Sequence, residues 1–397
     1  MFNESEQATI INNVKTFLHS IKVVEDSDNL NRFPFMQIIP KFHKPVLKFR
    51  TIIASKNCIT TKLSRIIFLA TNLIETRMKN YCSTIGACTN LNLFWIIKNN
   101  EKILTDLARL SKNNRAQTID TYDFTTLYTN IKHDDLFRAL QFVISTAFSS
   151  SRFSRIRISE YSTRWCTCDT GFSLSEQQLL QSIKFLVENT WFTVGKHLFN
   201  QIIGIPMGTN CAPNLANLFL FALEFRFLKS NLRSDYALCM SLKYTYRYLD
   251  DITVINCNNR FDQVILDMYG NDLDLCKVNS VGSHADVLDL SISIVNKKFV
   301  SKLYDKRRDF NFTINAFPFF ASNISRSILY GTFYAQVIRY CRICSEPCDA
   351  IREIISLKQA LLMKGYEEVS LISTLRKAIN KHVLVRTCFH GIDLSTL

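Results

Sequence analysis

No run of apolar residues in the chain reaches the roughly 18 to 20 needed to cross a bilayer. The longest, around Leu215 to Phe225, is too short, which removes a helical membrane span from consideration. A basic start followed by an apolar stretch is also missing. The opening Met-Phe-Asn-Glu-Ser-Glu-Gln is acidic and polar, so no secretory leader is expected and the chain should stay inside the cell. Regular cysteine pairs are absent as well: thirteen cysteines, an odd count, are scattered through 397 residues. That pattern excludes a disulfide framework and predicts mostly reduced, buried thiols. Cys341, Cys344 and Cys348 lie close together, but their spacing fits one helix face and no convincing fourth ligand is near, which argues against zinc. No internal repeat is evident. Negative charge is short too, with 34 acidic residues against 48 Lys and Arg for a net charge of +14. Such a balance favours a polyanionic partner, nucleic acid first and a membrane surface second.

What is present is an enzyme-sized folded chain, 47% hydrophobic and long enough for two or three lobes with their own cores. Ile10, Ile11, Val14, Phe17, Leu18 and Ile21 recur at helical spacing and predict an opening amphipathic helix. The Pro-bounded basic segment from Pro40 to Pro45 leads into Phe49 to Ile53, whose β-branched residues favour a strand. Helices are expected over roughly 61 to 81 and 101 to 112. A strand from Thr118 to Phe124 should follow, then a helix from near His133. Between Ser149 and Asp169 the sequence turns Ser- and Arg-rich, with Arg152, Arg155, Arg157 and Arg164, loses clear periodicity and reads as a basic surface insertion. Ser173 and Glu176 suggest a capping box for a helix running to about Asn189. Trp191 to Val194, Gly195-Lys196 and His197 to Asn200 read as a hairpin, and Pro213 suits the first turn of the next helix. Tyr244 to Ile255 alternates about a turn holding two aspartates. Leu290, Ile292 and Ile294 alternate with Ser291 and Ser293 in another strand. Beyond Tyr304 the pattern is largely helical, with Arg339 and Arg342 spaced to share a face.

Three fragments carry chemistry. In Tyr246-Arg247-Tyr248-Leu249-Asp250-Asp251-Ile252-Thr253-Val254 two adjacent carboxylates sit between strand-like arms. Clustered carboxylates repel one another, and a divalent cation with oxygen ligands, magnesium above all, removes that penalty. An exposed acidic turn is the plainer alternative. Upstream, Asp123 ends the strand in Thr121-Tyr122-Asp123-Phe124-Thr125-Thr126-Leu127-Tyr128. Two-metal phosphoryl transfer needs carboxylates from separate strands, and Asp123 supplies the second source. Taken alone it would read as a strand-end or capping residue. The third fragment, Gly204-Ile205-Pro206-Met207-Gly208-Thr209-Asn210-Cys211-Ala212-Pro213-Asn214-Leu215-Ala216-Asn217, is a tight turn entering a helix. Small residues there permit close backbone approach to a ligand, although the lysine of a P-loop is missing.

In this order the fragments resemble reverse transcriptases, and among them the Penelope-like group of mobile-element enzymes related to telomerase. Lys41 to Ile53 looks like the basic finger motif, Asp123 to Tyr128 the first catalytic motif, Gly204 to Asn217 the nucleotide and template motif, and Tyr248 to Asp251 the Tyr-x-Asp-Asp box. The likeness continues through Leu303 to Phe312, Ser322-Asn323-Ile324, Tyr330-Gly331 and Ile338-Arg339-Tyr340, covering roughly residues 35 to 385. It implies an α+β right-hand polymerase with an antiparallel-sheet palm, mixed fingers and a helical thumb. The implied boundaries are 1–117 for the N-terminal helix and fingers, 118–135 for the first palm piece, 136–200 for the fingers with the Ser/Arg insertion, 201–305 for the remaining palm and 306–397 for the thumb.

The resemblance also implies roles. Asp123, Asp250 and Asp251 would hold two Mg2+ ions, with Mn2+ as a substitute. Arg50, helped by Lys41 or Lys44, would neutralise the incoming triphosphate. Tyr128 matches an aromatic gate beneath the sugar that selects deoxynucleotides, and Phe124, Met207 and Gly208 would line the nucleotide site. Arg326, Arg339 and Arg342 would meet nucleic acid. The partners would be an RNA template, a DNA primer, their RNA–DNA hybrid and dNTPs, with no membrane and a nuclear location. Met207 stands where retroviral-type enzymes usually carry Gln, and Ala212 replaces a common Ser, which fits the Penelope-like subtype. The proton-donating lysine of many polymerases has two candidates, Lys277 and Lys302. No GIY-YIG endonuclease follows the polymerase region, so target cleavage is expected from elsewhere or at an existing break. A nucleic-acid-binding relic without turnover and an RNA-templated RNA polymerase are the alternatives. The intact aspartate triad opposes the first and Tyr128 the second.

Overall fold

The structure, a computed structural model, describes residues 4–23, 32–42, 47–160, 162–168, 171–312 and 314–392. Its elements run in order α1 (Glu4–Ser20), β1 (Phe35–Lys41), β2 (Lys48–Ala54), α2 (Thr61–Thr89), α3 (Glu101–Lys112), β3 (Ile119–Phe124), α4 (Leu127–Asn130), α5 (His133–Ser149), β4 (Arg155–Ile158), β5 (Thr163–Cys166), β6 (Ser173–Ser175), α6 (Glu176–Glu188), β7 (Trp191–Val194), β8 (His197–Asn200), α7 (Ala212–Ser234), α8 (Tyr236–Ser241), β9 (Thr245–Tyr248), β10 (Asp251–Ile255), α9 (Arg260–Tyr269), β11 (Leu275–Lys277), β12 (His284–Val287), β13 (Leu290–Val295), β14 (Lys298–Leu303), a short 3-10 turn at Lys306–Asp309, then α10 (Arg326–Ile343), α11 (Pro347–Leu362), α12 (Glu368–Lys381) and α13 (Val383–Cys388). The chain is mixed α+β, and its sheets are built chiefly from antiparallel hairpins.

The chain divides into two compact units. The first joins Met1–Ile96 to Tyr122–Cys276, and the second joins Ile97–Thr121 to Lys277–Leu397. In the first, β2-β1-β7-β8 form one sheet and β5-β4-β6 another. The strand order β11-β3-β10-β9 completes a third. Leu63, Ile67, Ala70 and Ile74 of α2 recur every three to four residues. They share one core with Leu140 and Ile144 of α5, Leu179 and Ile183 of α6, and Leu215, Leu218 and Phe221 of α7. A stripe of that spacing is what a helix buries against its neighbours.

The second unit combines the antiparallel β12-β13-β14 sheet with α3 and the C-terminal helices. Leu329, Phe333, Val337 and Tyr340 of α10 are buried along one stripe, as are Ile103, Leu107 and Leu110 of α3. Ser111, at the end of α3, accepts from the Phe299 N–H of β14 at 2.8 Å. Cys341 and Cys344 are buried and Cys348 is exposed. Among the described residues no group of three or more His, Cys, Asp or Glu is arranged to hold a metal. No described helix is long and apolar enough to cross a membrane.

Two sequence expectations need correction. The capping box at α6 is formed by Ser175 and Gln178: the Ser175 hydroxyl accepts from the Gln178 N–H and the Gln178 side chain accepts from the Ser175 N–H. Ser173 is instead drawn into β6 opposite Arg157, so the Ser173/Glu176 pattern loses to one two residues later. The Ser/Arg segment is also more regular than its composition suggests. Arg155-Ile156-Arg157-Ile158 alternates half-buried with buried positions in β4, a period of two over too few residues to stand out.

Candidate active site

The two aspartate-bearing fragments meet at the backbone. β3 and β10 are neighbours in one sheet, and the Phe124 N–H donates to the Asp250 carbonyl at 3.3 Å. Asp123 and Asp250 therefore occupy adjoining strand ends, both half-buried, while Asp251 opens β10 and is exposed. The turn between β9 and β10 places Leu249 at φ 55°, a left-handed conformation that costs a non-glycine residue about 1–3 kcal/mol.

That turn is held from beneath. Arg247, 0% exposed, donates through Nη1 to the Leu249 carbonyl at 3.1 Å and to Asn217 Oδ1 at 2.8 Å. Its Nε meets Glu224 Oε1 at 2.5 Å and its Nη2 meets Glu224 Oε2 at 3.1 Å. Tyr269 donates its hydroxyl to Glu224 Oε1 at 3.1 Å. Burial, with Glu224 beside it, pushes the Tyr269 phenol far above its ordinary range, so it stays a donor. A buried ion pair survives when its remaining donors and acceptors are also satisfied, and here α7, α9 and the β9 strand supply them. Sequence reasoning passed over Glu224 and Tyr269, and took Asn217 only as the end of the Gly204–Asn217 motif. A lone Glu amid Leu215 to Phe225 was the available signal, since an unpaired carboxylate does not belong on a buried helix.

The Gly-rich loop is bonded to the Tyr128 end of the Asp123 fragment and to β2. The Ile205 N–H donates to the Tyr128 carbonyl at 2.7 Å, the Gly204 N–H to the Ile131 carbonyl at 2.8 Å, and the Ile53 N–H of β2 to the Met207 carbonyl at 2.6 Å. Glycine is needed at both approaches. A Cβ on Gly204 would lie 2.4 Å from the Tyr128 carbonyl oxygen, and one on Gly208 would lie 2.1 Å from that of Ile53, with both glycines at positive φ. Gly208→Ala is therefore expected to lower stability by more than Gly195→Ala, whose added Cβ meets nothing within 4 Å at the β7–β8 turn. Gly208 and Gly195 both lie at positive φ, so the backbone strain is common to the two variants, and thermal melts should show Gly208→Ala lower by the cost of the clash with the Ile53 carbonyl.

Tyr128, half-buried on α4, stands where the fragments converge. Its phenol is pushed up to about 12, first by burial and then by the negative charge of Asp250, with Arg247 and Arg50 pulling the other way. It therefore remains neutral and able to donate at any physiological pH. On the β1–β2 hairpin, Lys41 pairs with Lys48 and Ile39 with Arg50. Residues directly opposite share a face, as do residues two apart, so Lys41, Lys48 and Arg50 line one side. Ile52 is on that side too, and its Cγ2 is 3.1 Å from where a Gly208 Cβ would be. Lys48 is a cation that sequence reasoning missed, although its place two residues before Arg50 in a strand was signal enough. Lys44 lies outside the described residues.

Other named residues fall elsewhere. The Phe124 ring is in the core, edge-on to Tyr269 with centroids 5.2 Å apart, so only its backbone borders the carboxylates. Met207 is half-buried and Gly208 exposed. In the second unit Lys277 is ion-paired with the buried Asp120 at 2.7 Å and Lys302 with Asp349 at 3.2 Å. Arg339 is turned to Asp289 at 2.7 Å. Arg342 is exposed, and Arg326 lies 5.1 Å over the Phe320 ring.

By its likeness to a solved telomerase the fold of the chain is reverse-transcriptase-like. Among solved structures, telomerase from Candida albicans in complex with the TWJ fragment of telomeric RNA matches with a TM-score of 0.57 at 11% identity, over 96% of this chain and 65% of that one. The chain thus spans just under two thirds of that telomerase. Apo telomerase from Candida tropicalis aligns with a TM-score of 0.49 at 11% identity, over 97% of this chain and 68% of that one. Residues 320–377, spanning α10, α11 and most of α12, match the model of the animal helix-turn-helix domain. Sequence comparison with the curated proteins finds no match.

Proposed function

We propose that the chain is an RNA-directed DNA polymerase that transfers deoxynucleotidyl units from dNTPs to a primer 3′-hydroxyl and releases pyrophosphate. The observation that carries this reading is the convergence of three separated fragments on one place. Asp123 and Asp250 adjoin, Tyr128 is within electrostatic reach of Asp250 and Arg50, and the Gly-rich loop is bonded to both flanks. The reverse-transcriptase-like fold supports it, as does the excess of positive charge.

Asp123, Asp250 and Asp251 are the residues that would hold two magnesium ions, or manganese in their place. The three carboxylates do not close into a three-ligand cage. Magnesium suits such a set, because it binds through one or two carboxylates and completes its shell with water and substrate phosphate. Bound there, the ions would supply charge neutralisation at the attacking and leaving oxygens. The remaining work falls to positioning and fixed charge. Arg50, with Lys41 and Lys48 on its face of the hairpin, receives the triphosphate, and Gly208 lets the loop backbone approach the nucleotide. Met207 packs against it with an adaptable apolar side chain. In this reading β3, β10 and β9 belong to the palm, the β1–β2 hairpin to the fingers and α10 to α13 to the thumb. Arg326 and Arg342 are candidates to meet the RNA–DNA hybrid. The Penelope-like subtype rests on Met207 and Ala212, and a nuclear location would follow from it.

Tyr128→Ala is expected to raise ribonucleotide incorporation relative to deoxynucleotide, because the ring beneath the sugar no longer opposes a 2′-hydroxyl. Deoxynucleotide efficiency should suffer less. Competitive single-nucleotide insertion on an RNA template measures this, and an unchanged sugar preference in a folded, active variant returns Tyr128 to a packing role. Primer extension by the wild type with magnesium and dNTPs tests the function itself. A folded chain that binds primer-template and never extends it would sink the reading.

A further inference from the structure

The basic insertion is a built surface apart from the carboxylates. Between Ser149 and Asp169 four arginines accompany two acidic residues, Glu160 and Asp169. The β5-β4-β6 sheet buries Ile156, Ile158 and Leu174 on one side, where the Trp165 ring lies edge-on to Phe148 with centroids 4.9 Å apart. The opposite side carries the arginines. Arg155 is engaged with Ser173 and with Gln178 Oε1 at 3.1 Å. Arg157 and Arg164 are direct cross-strand partners, a like-charge juxtaposition that costs a sheet stability. Among the described residues neither has an ion pair or hydrogen bond from its side chain, and the Nε of Arg157 is buried without any partner. A buried guanidinium N–H left unpaired is a further cost. Two unfavourable features at one place have a common remedy, an anion shared by both guanidiniums. Opposite Cβ atoms in antiparallel strands are about 4.5–5.5 Å apart, so one phosphate is within reach of both side chains.

We propose that this arginine-bearing sheet is a second nucleic-acid contact, which holds the phosphodiester backbone of the single-stranded RNA template away from the carboxylates. Identifying the strand as template rests on the polymerase reading. The phosphate contact rests on Arg157 and Arg164 alone. A strand reaching both places would be tied down at two points, and the sheet would act on long templates and not on short ones.

The test is fluorescence anisotropy with the full chain, without metal or dNTPs, on two probes: a blunt primer-template and the same duplex with a long single-stranded RNA overhang. Wild type is compared with Arg157→Gln/Arg164→Gln and with Arg164→Gln alone, an exposed position where folding is not at stake. The double variant is expected to bind the overhang probe roughly 10-fold more weakly at 100 mM salt and the blunt probe equally well. Every phosphate of a single strand that is no longer neutralised takes about 0.7 off the slope of log affinity against log salt. With one phosphate shared by the two guanidiniums, the slope should fall by about 0.7 in the double variant and by less than that in the single variant, which keeps one of the two arginines. Equal affinity and slope on the overhang probe, or equal weakening on both probes, would overturn the proposal. So would wild-type capture of phosphatidylserine vesicles that the double variant loses while its RNA binding is unchanged. Primer extension is read separately: a wild type that binds as expected but never extends overturns the polymerase reading and leaves this RNA surface standing.

Discussion

Asp250→Asn should abolish primer extension while leaving primer-template affinity within the error of the measurement. The substitution keeps the size and the strand-end position but removes the negative charge that, with Asp123 across the adjoining strand, makes the place attractive to a divalent cation. Loss of one preorganised electrostatic interaction in a transition state costs on the order of 10²- to 10³-fold in rate, and on the proposed role of Asp250 as a metal ligand the effect should reach the upper end of that range. On the proposed reading, contacts to the nucleic-acid backbone come from Lys and Arg elsewhere, so binding and chemistry should separate. Single-turnover extension beside anisotropy titration reads both quantities. A variant that extends at more than a tenth of the wild-type rate would remove Asp250 from the chemistry.

The second large effect is expected at Arg247. Arg247→Met leaves the Glu224 carboxylate buried without its cation, and breaking a buried pair in this way costs about 3–5 kcal/mol. Replacing both members with apolar residues of similar volume, Arg247→Met with Glu224→Leu, should recover much of that stability, because no charge is then stranded. Catalysis should not recover with it. The Leu249 carbonyl loses the Nη1 donor that lies 3.1 Å away, leaving the left-handed turn less firmly held. Thermal or urea denaturation together with extension rates distinguishes the outcomes. A stable double variant with wild-type turnover would reduce Arg247 to a packing residue.

Much of the site could be read before folding because its chemistry is local. The alternation around Leu249 and Asp250, the strand ending in Asp123 and the helix beginning by Pro213 each depend on a few neighbouring residues. What escaped depends on partners far apart in sequence. Arg247 and Glu224 are distant, and neither predicts the other. Gly204 and Gly208 are permissive residues in any turn, and only the Tyr128 and Ile53 carbonyls against them explain why a side chain is excluded. Lys277 and Lys302 looked equivalent as free cations, yet each is held by a carboxylate, Asp120 or Asp349, from another element. The capping box shows the same limit at short range. Two overlapping Ser-x-x-acid/amide patterns compete, and the ladder that β6 makes with β4 decides between them.

The second unit is assembled from two pieces, Ile97–Thr121 and Lys277–Leu397, and the ribosome delivers them far apart in time. When α3 emerges, its buried stripe of Ile103, Leu107 and Leu110 has no β14 to lie against, and it must wait while the whole stretch from Tyr122 to Cys276 is synthesised. At roughly 5–20 residues per second, that is an interval of many seconds with an apolar helix uncovered. Deleting the C-terminal helices and β14 would likewise not yield a trimmed protein, because it would strand α3 in the middle of the remaining chain. A soluble shortened form would have to lose residues 97–118 as well, with a linker in their place before Asp123.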